Sequence, residues 1–201
     1  RDLSIRGAGD ILGQEQSGFI DSVGVELFLE MLDIEVKKLK GIEVSNEENN
    51  SQPLVEVETT IDDKYAKEED VKIEIHKKIN SINSKSSLNK IKSELEDRFG
   101  SLDESVIIYM YEELFEHEMS NLNVKKVQQT KNFISITFNK ELSNKIDGEK
   151  LFLDVISLTR KFRFSMKNNE LTITLDTVNL DKHFIYYLID MIDILKKAII
   201  N

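Results

Sequence analysis

Five of the chain's eight glycines stand in its first 24 residues, "RDLSIRGAGDILGQEQSGFIDSVG". A Gly-rich loop can cradle phosphate with backbone N–H groups when it leads from a strand into a helix. Here "GAGDILG" lacks the lysine of a phosphate loop and the strand-then-helix setting, so that reading is weak. The three histidines, His76, His117 and His183, lie far apart in sequence, with no HExxH-type spacing. Surface or core-edge positions are expected of them, not a metal site. The absence of cysteine excludes disulfides, thiol catalysis and cysteine-based zinc sites. Carboxylates are abundant: Asp62, Asp63, Glu68, Glu69 and Asp70 form one group and residues 112–118 another. Paired carboxylates do acid–base work when burial separates their pKa values. These sit in hydrophilic runs, where burial is disfavoured. By its own residues the fragment does not read as an enzyme.

The 201 residues suffice for one ordinary domain plus an appendage, and 40% apolar content can build a core. No stretch has the apolar length of a membrane span, and no signal-peptide pattern opens the chain. It begins at Arg1 and reads as a piece of something longer. The net charge of −10 is unevenly placed. Residues 41–75 carry 11 acidic and 3 basic side chains, and residues 101–121 carry 6 acidic and no Lys or Arg. Residues 122–201 carry 13 basic and 9 acidic. No Lys/Arg stripe suited to phosphate backbones stands out, which disfavours direct nucleic-acid binding by most of the chain. The acidic runs read either as solvated surface or as a docking face for a basic partner.

The elements that would position these groups follow from periodicity. An amphipathic helix is expected from Val23 to Lys40, with Leu27, Met31 and Ile34 on one row and Gly41 as C-cap. "GIEVSNEENNSQP" over 41–53 is polar, ends at the only proline, and reads as a flexible linker. This divides the chain into 1–40, the linker 41–53, and a domain over 54–201. "LVEVETT" alternates Val55 and Val57 with Glu56 and Glu58, as a half-buried strand does. Helical spacing joins Val71, Ile75, Ile79 and Ile82, and then Leu88, Ile91, Leu95 and Phe99 up to Gly100. "SLDE" at 101–104 fits a capping box opening a third helix. That helix would turn Val106, Met110 and Leu114 inward and Glu112, Glu113 and Glu116 outward. Hairpins are expected over 124–139 and 162–175, the second turning at Asn168–Asn169. Helices are expected over 148–161 and 181–199. The element order ββα–ββα predicts an α+β class: an antiparallel sheet with helices packed on it, preceded by the Gly-rich loop and its amphipathic helix.

"DLSIRGAGDILGQEQSGFIDSVGVELFLEML" resembles the translocation motif shared by RecG-type fork helicases and the bacterial transcription-repair coupling factor. The segments I-R-G-A-G, I-L-G and Q-S-G, followed by a Gly-led amphipathic helix, carry the likeness. Ala8, where RecG-type proteins usually have proline, favours the coupling factor. So do residues 54–58, "DRFGSL" at 97–102 and the helix after it, which resemble that family's C-terminal domain. The resemblance implies a C-terminal fragment of an ATP-dependent DNA translocase of helicase superfamily 2. Its translocation motif would be Arg6, Gln16, Gly7, Gly9, Gly13 and Gly18. Arg6 and Gln16 would pass ATP-driven lobe movement to duplex DNA. A purely structural reading has them tie down a tight loop.

The resemblance further implies a cytoplasmic parent that uses ATP and Mg, releases RNA polymerase stalled at DNA damage, and recruits nucleotide excision repair. No cofactor is expected in this fragment. Residues 54–201 would be a non-catalytic, autoinhibitory cover on the N-terminal domain of the same chain, hiding the surface that binds UvrA. Glu112, Glu113 and Glu116 are the docking candidates. The competing readings are a small acid–base enzyme domain or an oligomerisation module fused to a RecG-like helicase end.

Overall fold

The structure, a computed structural model, describes residues 54–62 and 69–200. The Gly-rich loop with Arg6 and Gln16, the helix read over 23–40 and the linker 41–53 all lie outside them. Of the described residues, 59–62 and 69–78 belong to one compact unit, and 54–58 and 79–200 to another.

In the first unit lies almost all of α1, Glu69–Ile79. Glu69 and Asp70 occupy its first turn and His76, Lys77 and Lys78 its last, the charge order that a helix dipole favours. Ile61, Ile75 and His76 are buried.

The second unit opens with 54–58, where the sequence predicts a strand and none forms. The alternation is present, with Val55 buried and Glu56 and Glu58 exposed. What is missing is a ladder. The backbone N–H of Glu56 donates to the side-chain Oε1 of Gln129 at 2.7 Å, and among the described residues no strand pairs with the segment. Period-two burial without backbone pairing is extended chain, not sheet.

Two helices follow. α2 spans Lys85–Phe99 and starts at a capping box, in which Ser84 and Ser87 satisfy each other's backbone N–H groups. It ends at Gly100, whose φ of 81° and ψ of −164° suit glycine almost alone. α3 spans Glu104–Asn121. Its N-cap is Asp103, not the expected Ser101, because the helix begins two residues later than the "SLDE" pattern implied.

The sheet has the order β1-β2-β4-β3, antiparallel throughout: β1 Lys126–Gln129, β2 Phe133–Thr137, β3 Phe162–Lys167 and β4 Glu170–Asp176. In the central pair Ile134 faces Leu175 and Ile136 faces Ile173, all buried on one face. On the opposite face Ser135 and Thr174 join hydroxyls at 2.9 Å, and Thr137 and Thr172 at 3.0 Å. The β3–β4 turn falls at Asn168 and Asn169, with φ of 52° and 63°, as their tolerance of positive φ predicts. Between β2 and β3 lie α4, Lys140–Asn144, which the periodicity did not announce, and α5, Gly148–Leu158. α6, Phe184–Lys197, closes the order.

α3 packs against both α2 and α6. Two contacts and one charge interaction in step show that α3 and α6 run side by side in the same direction. The charge of Glu104 reaches His183, the rings of Tyr111 and Tyr186 meet at 5.0 Å, and Glu118 pairs with Lys196. The α+β architecture expected from the element order is the one present.

Candidate functional site

The acidic helix α3 was the expected docking face, and its surroundings correct that reading in one respect. Glu112 is 1% exposed, not outward-facing. Glu113 and Glu116 are half-buried. Val106, Met110 and Leu114 point inward as expected, but Tyr109, Phe115 and Met119 are buried as well. An amphipathic helix lying on one neighbour buries a single stripe. α3 has neighbours on two sides, so burial runs nearly all the way round it and takes Glu112 in.

Two further acidic groups of α3 are drawn into the fold. Glu116 accepts the backbone N–H of Leu54, and Glu118 pairs with Lys196 of α6. Other pairs tie distant segments: Lys85 to Asp193, and Lys125 to both carboxylate oxygens of Glu170 at 2.7 and 2.8 Å. Exposed pairs of this kind contribute about 0–1 kcal/mol each, so they set register more than stability.

The histidines occupy three different settings. His76 is 3% exposed; burial, helped by the nearby charge of Lys72, lowers its pKa to about 4. His117 is half-buried. His183 is the N-cap of α6, where burial lowers its pKa against an opposing pull from Glu104. Among the described residues no group of three or more His, Cys, Asp or Glu side chains could hold a metal ion. Glu112 is the one buried carboxylate among them, so no buried carboxylate pair forms the heart of an acid–base site. No described helix is long and apolar enough to cross a membrane.

Sequence reasoning missed one buried polar centre. Ser143, 5% exposed, donates to Asn139 O at 2.7 Å and accepts the backbone N–H of Leu171 at 3.0 Å. Only the position of "NKELSN" after a strand hinted at it. Asn139 caps α4 through Leu142 N at 2.8 Å, and that turn carries Ser143 onto β4.

The described residues of the second unit form an antiparallel sheet buried on one face, helices, and ionic ties between distant segments. Residues 55–150 match the TRCF domain family. The fold is that of a solved C-terminal domain of transcription-repair coupling factor, with a TM-score of 0.61 at 23% identity, covering 72% of this chain and 90% of that one. Relatives extend the likeness along the sequence. The transcription-repair-coupling factor of Staphylococcus haemolyticus is 35% identical over 181 residues, 87% of this chain. That of Bacillus subtilis is 32% identical over 178 residues, 88% of this chain. The chain belongs to the transcription-repair-coupling factor family, in its C-terminal part, and spans 15% of the length of these relatives.

Proposed function

We propose that the described domain is a non-catalytic regulatory cover within a DNA translocase that couples transcription to repair. The observation that carries this reading is a match along 87% of the chain to a factor named for that coupling. It is supported by a described fold whose buried polar groups tie the structure together instead of meeting in a cleft. In this reading the parent is ATP-dependent, uses Mg, acts on duplex DNA in the cytoplasm, and releases stalled RNA polymerase. The domain covers the UvrA-binding surface of the N-terminal domain in the same chain until polymerase is engaged. Arg6 and Gln16, with Gly7, Gly9, Gly13 and Gly18, transmit ATP-driven movement to DNA. Of the acidic docking candidates, Glu113 and Glu116 remain; Glu112, being buried, is withdrawn.

The test is deletion of residues 54–201 from the full-length parent, with UvrA affinity measured in the absence of polymerase. Tighter binding than the intact parent supports a cover. Unchanged affinity refutes it.

A further inference from the structure

Four of the described helices begin with a side chain that accepts a backbone N–H. Ser84 serves α2, Asn139 serves α4 at 2.8 Å, Asp147 serves α5 at 3.1 Å, and His183 serves α6. The hydroxyl of Ser84 and the amide of Asn139 do not titrate. The imidazole of His183 does. Its Nδ1 accepts the N–H of Ile185 at 3.3 Å, which requires that Nδ1 carry no proton. A neutral ring with its proton on Nε2 can do this; an imidazolium cannot.

We propose that His183 is a proton-sensitive cap that fastens the first turn of α6 when neutral and releases it when protonated. Two consequences of protonation act together. The N–H of Ile185 loses its acceptor, and a positive charge is placed at the positive end of the helix dipole. A ready alternative partner stands across the seam. Glu104, at the start of α3, is near enough for its charge to favour the protonated ring. Protonation therefore costs the ring the N–H of Ile185 and gains it the attraction of the Glu104 charge.

The groups around the ring are identifiable. Glu104 and Asp103 lie at the head of α3, Tyr111 lies about two turns further on, and Lys182 and Tyr186 flank His183 on its own segment. Lys182 pairs with Asp190 at 3.0 Å. Tyr186 has its pKa raised by burial, then by Glu104 and Tyr111, so it stays neutral throughout this range. Its ring meets that of Tyr111 at 5.0 Å. The turn that would loosen holds Ile185, Tyr187 and Leu188, all buried. Release of the cap therefore loosens the first turn of α6 at the Tyr111–Tyr186 end of the α3–α6 seam and leaves the Glu118–Lys196 end unchanged.

The experiment is imidazole and amide NMR on the ¹⁵N-labelled 201-residue chain, with amide exchange in the first turn of α6 followed from pH 7.5 to 5 and corrected for intrinsic exchange. At neutral pH the His183 ring should be the Nε2–H form. The Ile185 amide shift should titrate with the ring, and first-turn protection should fall roughly five- to tenfold across that midpoint, the size of a lost N-cap. His183→Asn, which keeps an acceptor that does not titrate, should abolish the pH dependence. Glu104→Gln should move the ring's midpoint to lower pH. An Nδ1–H tautomer at neutral pH, or an unchanged pH dependence in His183→Asn, overturns the proposal.

Discussion

The hydroxyl of Ser143 accepts the backbone N–H of Leu171 at 3.0 Å while donating to Asn139 O, so one buried side chain joins α4 to the start of β4. The Phe138 N–H donates to Leu171 O at 2.8 Å beside it, prolonging the β2–β4 pairing past Thr137. Removing that hydroxyl leaves the N–H of Leu171 buried without its acceptor. Ser143→Ala should destabilise the domain by about 1–3 kcal/mol. Urea midpoints at unchanged m-value give the figure, and a cost near zero would mean that the site relaxes around the change.

Gly100 and Gly148 make a controlled comparison. A Cβ would meet nothing within 4 Å at either position, so only the backbone distinguishes them. Gly100 holds φ of 81° with ψ of −164°, a region essentially closed to other residues. Gly100→Ala should cost about 1–3 kcal/mol. Gly148 lies at the first position of α5, and Gly148→Ala should leave stability unchanged or raise it by up to about 1 kcal/mol. Paired thermal melts would show it; equal losses at both positions would contradict the backbone argument.

The lowered pKa of His76 sets the sign of a pH dependence. Below the ordinary histidine value of 6.5 the unfolded chain takes up a proton that the folded chain refuses until about pH 4. Stability from this group is therefore complete above pH 6.5 and declines as pH falls towards 4, by roughly 3 kcal/mol in all. Denaturation midpoints between pH 7 and 4.5 should fall less steeply in His76→Leu than in the unsubstituted chain. Parallel slopes would remove His76 as the cause.

Arg6→Ala or Gln16→Ala in the intact parent should impair translocation and polymerase release more than ATP hydrolysis. Arginine presents a rigid fork of donors and glutamine both donates and accepts, which suits transmission of movement more than bond cleavage. ATPase rates and polymerase-release rates measured on the same preparations decide it. Proportional losses would assign the residues elsewhere.

Glu113→Lys combined with Glu116→Lys should raise the parent's affinity for UvrA if the cover docks through α3. Individual exposed pairs are worth about 0–1 kcal/mol, so a few-fold change is the expected scale. Because Glu116 also accepts the N–H of Leu54, a melting curve must accompany the binding measurement. Native stability with unchanged affinity would place the interface on another face.

What was legible in the amino-acid order is what local physics controls. The alternation of Ile134, Ile136 and Phe138, the positive-φ tolerance of Asn168 and Asn169, and the stop at Gly100 are each decided within a few residues. These sufficed for the order of the four strands and the longer described helices, and for the α+β class. The rest depended on which elements meet. β2 pairs with β4 across two intervening helices and a strand, and nothing local specifies that closure. The backbone N–H of Glu56 meets the side chain of Gln129 and not a partner backbone, so the alternation gives no ladder. Glu112 occupies what periodicity marks as the outer face of α3, yet it is buried because α3 packs against both α2 and α6. Periodicity counts one apolar stripe per helix; how many neighbours cover that helix is settled only when the chain is folded.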